Sequence, residues 1–442
     1  MIGLSLEIRS GGTVVSTVDF NTGGYKLLDG FYPKTGKPDK KVTESFDVLI
    51  RGTSDSNIET LVRAVEFALD FAKRHLKGPD GVWMLLTPKY GALIAWQSRV
   101  YGGELQHDPD LSKYWKNSKV LTRVFVERAP YWESEEPVVL ELTNRGGADQ
   151  SSANIVNHQD ADATDDLYME IAADQVTGVL PTPAIIEYTN TVNDAVLVDH
   201  LAIGHFAASG ANEPPAASSL ILEGSGTVDA NCSGGEYDDP SWVDDAENQL
   251  LSWTLASGAF RQRNYKMITR LRDVTAYTDL WLKVKLLAGS TVLTETRWYL
   301  VTAGKELAVI GTLQIPPFRF GTHIDLGNLT VALYEKRAAG AGSINLDYLA
   351  AIPQDSWRKY DAIVGLAYNE TLLDNPVEAT LVSKYGASSY KITHKIEEGD
   401  PIMLQPGVKN VLYFLHDTTT GTAQIARTAN VVVKCHPRRF TV

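Results

Sequence analysis

The sequence predicts a mainly β protein: an N-terminal β-barrel or sandwich domain carrying one amphipathic helix, followed by β-sandwich domains of jelly-roll or galectin-like type. Three observations predict it. Within 442 residues only one segment, inside Phe46 to Glu133, holds a sustained helical period. After Glu133 the chain breaks into short alternating apolar runs. Gly, Asn, Asp and Pro separate those runs, as turns between strands require.

Taken in order, MIGLSLEIRSGGTVVSTVDF alternates as strands do, and FDVLIRG is the strand that leads into the helix. The helix is predicted over residues 56–77. Ser56 and Glu59 have the S-x-x-E spacing of a capping box, in which both side chains satisfy backbone N–H groups of the first turn. Ile58, Leu61, Val62, Val65, Leu69, Ala72 and Leu76 recur at three- and four-residue steps, so one face must be buried. Lys73, Arg74 and Lys77 suit the negative end of the helix dipole, and Gly78-Pro79 ends it. A Trp- and Tyr-rich β region then closes on RVFVERAPYWE, giving a first domain over 1–135.

Beyond it, VVLELTN, DLYMEIAA, AIIEYTN and AVLVDHLAIG are strands bounded by turn residues. Ala207 to Ser219 is small, polar and proline-containing, which suits a linker. Eight further runs, from SLILEG to INLDYLAAIP, have the spacing of a jelly roll, and five more follow Trp357. The predicted layout is therefore a discontinuous sandwich, 136–206 plus 357–442, with a jelly roll over 207–356 inserted in it.

Composition narrows the function classes. A net charge of −13 argues against nucleic acid as a partner, because that binding displaces counterions with a basic surface. No apolar run approaches the roughly 18 to 20 residues of a membrane-spanning helix, so membrane insertion is not expected, and the N-terminus lacks a secretion-signal pattern. Cys232 and Cys435 stand about two hundred residues apart and read as inert thiols.

Catalytic signatures are missing from the sequence. Nine histidines show no H-E-x-x-H or other ligand spacing, and His200 and His205 have the odd separation of opposite strand faces. Neither a G-x-S-x-G elbow nor a phosphate-cradling glycine loop is present. An enzyme is not expected. Two acidic loops are, however, notable. In HQDADATDD, Asp165 and Ile171 occupy slots where an EF-hand needs Gly and Glu, which excludes that motif. In the second, Glu236, Asp238, Asp239, Asp244 and Asp245 are candidate oxygen ligands for a structural calcium, the one cofactor the sequence allows.

Leu86-Thr-Pro, Trp96-Gln-Ser-Arg99, Gly102-Gly103 and Glu127-Arg-Ala-Pro-Tyr-Trp-Glu133, behind the helix, resemble the N-terminal ring-forming domain of phage distal tail proteins and related minor tail proteins of long non-contractile-tailed phages. Leu404-Gln-Pro-Gly407, Asn410-Val-Leu-Tyr-Phe414 and Pro437-Arg-Arg439 are similar to the end of larger members. Gly311 to Pro316 and Leu346 to Leu349 look like a carbohydrate-binding-module type of jelly roll. The resemblance implies a virion protein at the tail tip, made in the host cytoplasm and assembled as a homo-hexameric ring. Its implied partners are further copies of itself, the tail tube protein, a tail-tip hub or tape-measure protein, and host surface glycans. The alternatives are a stand-alone carbohydrate-binding or adhesin-like protein and, behind it, a glycan hydrolase.

Two kinds of surface would serve that role. For glycans, Trp242 between Pro240 and two aspartates is the candidate stacking platform, with Tyr237 and Tyr277 in turn-like contexts; Trp253, Trp281 and Trp298 lie in apolar runs and are expected in the core. For subunit contacts, the loops Phe31 to Lys41 and Gln106 to Lys119 mix charge with aromatics. They offer Lys34, Lys37, Tyr114 and Trp115.

Overall fold

The computed structural model describes residues 2–28, 30–37, 40–88, 94–107, 119–143, 153–156, 168–193, 197–208, 221–223, 226–228, 232, 236–242, 246–254, 263–271, 280–301, 307–315, 329–337, 342–360, 365–417 and 428–440. The chain is mainly β, with one α-helix among the described residues.

In the N-terminal domain the strands are β1 (Ile2–Ser10), β2 (Thr13–Asp19), β3 (Tyr25–Leu27), β4 (Val42–Arg51), β5 (Gly81–Pro88), β6 (Trp96–His107), β7 (Lys119–Arg128) and β8 (Trp132–Ser134). They form one antiparallel sheet in the order β2-β1-β5-β6-β7-β4-β3, with β8 on the start of β6. Helix α1 (Asp55–Arg74) lies on this sheet and buries Ile58, Val65, Ala68, Leu69 and Ala72. That is the predicted stripe, but its ends differ from the prediction. Ser54, in extended backbone, is the N-cap and accepts from Asn57 N, while Asn57 Oδ1 accepts from Thr53 N. The reciprocal cap thus forms two residues early, leaving Glu59 to pair with Arg63. At the other end the helix stops at Arg74, and Leu76 is 47% exposed, outside the stripe. The sheet admits the helix because β6 carries glycine where it passes beneath: a Cβ on Gly103 would stand 2.1 Å from Phe125 O and 2.9 Å from Leu69 Cδ2.

The sandwich begins with β9 (Val138–Val139), β10 (Ala153–Val156), β11 (Tyr168–Ile171), β12 (Thr182–Asn190) and β13 (His200–Ala208). The chain then leaves it for the jelly roll, whose strands are β14 (Ile221–Glu223), β15 (Thr227–Val228), β16 (Glu236–Tyr237), β17 (Ser241–Trp242), β18 (Asn248–Thr254), β19 (Asn264–Leu271), β20 (Leu280–Ala288), β21 (Thr291–Glu295), β22 (Tyr299–Leu300), β23 (Leu307–Gln314), β24 (Leu329–Arg337), β25 (Gly342–Ser343) and β26 (Leu346–Pro353). One sheet runs β14-β26-β19-β23 and the other β18-β24-β20-β21. Counting those eight principal strands in chain order gives 1-8-3-6 against 2-7-4-5, the interleaved Greek-key order of a jelly roll.

The chain returns as β27 (Ser356–Tyr360), β28 (Thr371–Asn375), β29 (Thr380–Tyr385), β30 (Ser388–Lys391), β31 (Ile396–Gly399), β32 (Met403–Leu404), β33 (Lys409–Asp417), β34 (Thr428–Cys435) and β35 (Arg438–Arg439). Its sheets run β10-β34-β12-β28-β29-β30 and β11-β33-β13-β27-β31. Strands β13 and β27 are antiparallel neighbours, with Gly204 opposite Trp357, so the jelly roll stands where a hairpin turn would otherwise join them. Alternation then decides the packing: Leu201 and Ile203 on β13 enter the sandwich core, and Ala202 and Phe206 enter the jelly-roll core. The motif Leu404-Gln-Pro-Gly407 has a local cause. Asn410, fully buried, accepts from Gln405 N and donates to Gln405 O and Val408 O, which holds the turn shut.

Candidate binding surfaces

The Phe31–Lys41 loop, which joins β3 to β4, is held by a buried ion pair. Glu44 and Arg128, both fully enclosed, meet at 2.6 Å. Arg128 Nη2 also donates to Lys34 O at 2.7 Å, Nη1 donates to Ala129 O, and the guanidinium lies 4.4 Å over the Trp132 ring. Glu44 in turn accepts from Lys34 N at 3.0 Å. Burial pulls the Arg128 pKa below its ordinary value, and Glu44 opposes that pull. Enclosing such a pair has a high desolvation cost, and here the bonds of the pair to Lys34 N and Lys34 O place the loop backbone. Lys34 is exposed with its Nζ on Thr43 O, and Lys37 is exposed beside Lys40, its bridge partner at the hairpin tip. Tyr32 stands 84% exposed on this fixed loop. Sequence reading passed over Tyr32 in favour of Tyr114 and Trp115, which lie outside the described residues.

The second acidic loop runs along β25 and the start of β26. Asp238 exchanges backbone hydrogen bonds with Leu346, and Trp242 pairs with Gly342. Glu236, Tyr237 and Asp238 are half-buried and Asp239 is exposed. Asp244, Asp245 and Tyr277 lie outside the described residues, as does the Trp242 side chain. Among the described residues no three His, Cys, Asp or Glu side chains converge as a metal-holding group.

Of the tryptophans expected in the jelly-roll core, Trp253 packs against that core, while Trp281 faces away from it. On β20, Leu280, Leu282, Val284 and Leu286 point inward, so strict alternation sends Trp281, Lys283 and Lys285 outward. Trp281 is 38% exposed, while Trp253 and Trp298 are half-buried. The Lys283 ammonium lies 4.5 Å over Trp298, and that of Lys285 lies 4.0 Å over Tyr334. Trp281 stands opposite Lys336. The outer face of the β18-β24-β20-β21 sheet thus carries aromatic rings beside lysines, with Lys283 buried and paired to Glu295 at 3.3 Å and Lys285 paired to Glu247. The period of two in DLWLKVKLL carries this phase, which puts Trp281 on the face opposite the inward leucines whatever its own apolarity.

The C-terminus joins two domains. Strand β35 pairs with β8, and Arg438 meets Glu133 at 3.2 Å while lying 4.2 Å over Tyr131. Arg439 covers Trp96, His436 Nδ1 donates to Ser134 O at 2.7 Å, and Thr182 donates to His436 O. The closing Pro437-Arg-Arg439 therefore ties the N-terminal sheet to the sandwich.

No protein-family model matches the chain, and no curated protein matches its sequence. Among solved structures it is similar to that of the infectious bursal disease virus Gx strain, at 8% identity over 69% of this chain and 82% of that chain, with a TM-score of 0.16. A VP2 subviral particle of infectious bursal disease virus matches at 9% identity, over 69% and 81%, with the same TM-score. Likeness at that level identifies neither a fold family nor a function for this chain.

Proposed function

We propose that this chain is a structural protein of a phage tail tip, forming a ring, hexameric by family resemblance, that joins the tail tube to the tip apparatus. One observation carries the reading. The N-terminal sheet presents different contact features at its two ends. At one end β2 is an edge strand with Val14 and Val15 exposed, Val15 by 60%. At the other, beside β3 and β4, the ion-paired loop displays Tyr32 and the Lys37–Lys40 tip. A closed ring needs such a pair of unlike patches, because each subunit offers one face to the neighbour before it and the other to the neighbour after it. Edge strands with exposed apolar side chains are ready-made pairing surfaces. Mass photometry and negative-stain imaging of the purified chain test the reading. A sixfold ring is the expected result, and a monomer at every concentration tried overturns it.

A second reading is favoured by the outer face around Trp281. Its aromatic rings can stack on sugars, and Glu247 and Glu295, paired with Lys285 and Lys283, can hydrogen-bond sugar hydroxyls, so the jelly roll acts as a carbohydrate-binding module, within the virion or alone. Glycan-array binding lost on Trp281→Ala, with unchanged melting, is the expected outcome. Binding that persists in that variant sinks the assignment of this face.

A further inference from the structure

A cleft of about 340 Å³ lies between the N-terminal sheet and the sandwich, close to β2. Val14, Trp83, Pro137 and Ile185 supply apolar wall. Arg9 also lines it, but that guanidinium is paired with Glu7 at 2.8 Å and lies over Trp83. Three carboxylates remain, those of Glu135, Glu136 and Glu378, and none has a cation within ion-pair distance among the described residues. Gln97 adds an independent sign of a missing ligand. It is only 2% exposed, it lines the cleft, and its Oε1 has no hydrogen-bond partner. Orphaned buried acceptors cost about 1 to 3 kcal/mol, so they usually have an occupant to satisfy them. His436, which also lines the cleft, is held there by its Nδ1, which donates to Ser134 O at 2.7 Å. Burial, then the nearby Glu7 carboxylate, raises the Glu135 pKa, with Arg9 pulling the other way. A cation entering the cleft would relieve that repulsion.

These groups accept hydrogen bonds or carry negative charge along an apolar wall. The matching ligand is a primary ammonium on an aliphatic stem, three donors on a greasy chain, which describes lysine. The Lys37 and Lys40 pair at the hairpin tip lies at the opposite end of the same sheet. We infer that the Lys37–Lys40 tip of one copy docks into the Glu135–Glu136–Glu378 cleft of the next copy. The inference rests on the ring reading and specifies its contact: a basic knob beside β4 meets an acidic socket beside β2, with Gln97 Oε1 taking one ammonium N–H.

Charge reversal on the full chain tests it. The pair K37E/K40E and the pair E135K/E378K should each raise the concentration needed for half-assembly by about tenfold or more at low ionic strength, and combining all four should restore it to within about threefold. Each variant's melting temperature checks folding. As a measurement independent of assembly, a labelled peptide of sequence YPKTGKPDKK should bind the K37E/K40E chain and lose at least about tenfold in affinity when E135Q and E378Q are added. Rings that assemble normally in either reversal pair, or four changes that fail to restore assembly, overturn the docking contact and leave the ring reading intact. A wild-type chain that never associates overturns both.

Discussion

Where the jelly roll meets the sandwich, Ala202, Phe206, Val411, Tyr413 and Leu415 project from one face of the β11-β33-β13-β27-β31 sheet into the same apolar core as Tyr265, Met267 and Leu349. Where the N-terminal domain meets that sandwich, the contacts are Arg438 with Glu133, His436 with Ser134 and Thr182 with His436 O, beside an open cleft. The first seam removes apolar area from water and is non-directional, so it favours joint unfolding. The second consists of individually modest polar contacts, worth about 0.5 to 1.5 kcal/mol each, around space that a partner can fill. One seam makes two domains behave as one body, and the other leaves a surface available for assembly.

The largest expected effect separates the two seams. Leu69→Asp places a carboxylate under α1, where Leu69 is 2% exposed, and should destabilise the N-terminal domain by at least about 4 kcal/mol. Because the second seam is polar, hydrogen exchange should show that domain open while the jelly roll and sandwich stay protected. If the variant stays folded and only fails to assemble, the helix stripe is itself a subunit interface. Next, Phe206→Ala empties a fully buried site shared by sandwich and jelly roll and should cost about 3 to 5 kcal/mol. Both should lose protection together, and a jelly roll that stays fully protected would show that the shared core does not couple them.

Acid should weaken the apolar seam through His205. Its Nε2 donates to Asn410 Oδ1 at 2.9 Å, its Nδ1 is buried without a partner, and burial, aided by Arg263, lowers its pKa to about 4 from 6.5. The unfolded chain therefore binds the extra proton between those values. Stability is fully present above pH 6.5 and falls as pH drops toward 4, by about 3 kcal/mol. Denaturant melts of wild type and His205→Gln across that range should converge in acid; parallel curves count against His205 as the cause. The smallest effect belongs to the polar seam. Arg438→Ala removes a stacked guanidinium and leaves the buried Glu133 without its cation, and should cost about 2 kcal/mol, measured as a small shift in the N-terminal transition. A loss of 3 kcal/mol or more would mean that this seam carries more of the fold than its chemistry suggests.

Local patterns explain what was legible. The helix followed from a stripe with a 3.6-residue period, and only its ends moved, because Ser54 with Asn57 made the cap that Ser56 with Glu59 also spelled. The exposed Trp281 was legible too, since the phase of β20 is written in its alternating leucines and lysines. The cleft was not. It brings Arg9, Trp83, Gln97, Glu135, Glu378 and His436 together from six separated stretches. Nothing in the neighbourhood of Gln97 announces that its side-chain oxygen will be buried without a partner.

By itself, then, the sequence determined which residues face inward within each strand and helix, because burial of one face imposes its period on neighbouring residues. Only the tertiary structure decided which finished surfaces meet. Arg128 finds Glu44 across 84 positions, and His436 finds Ser134 across 302. Such meetings depend on where whole sheets lie relative to one another, and that placement leaves no periodic trace in the chain.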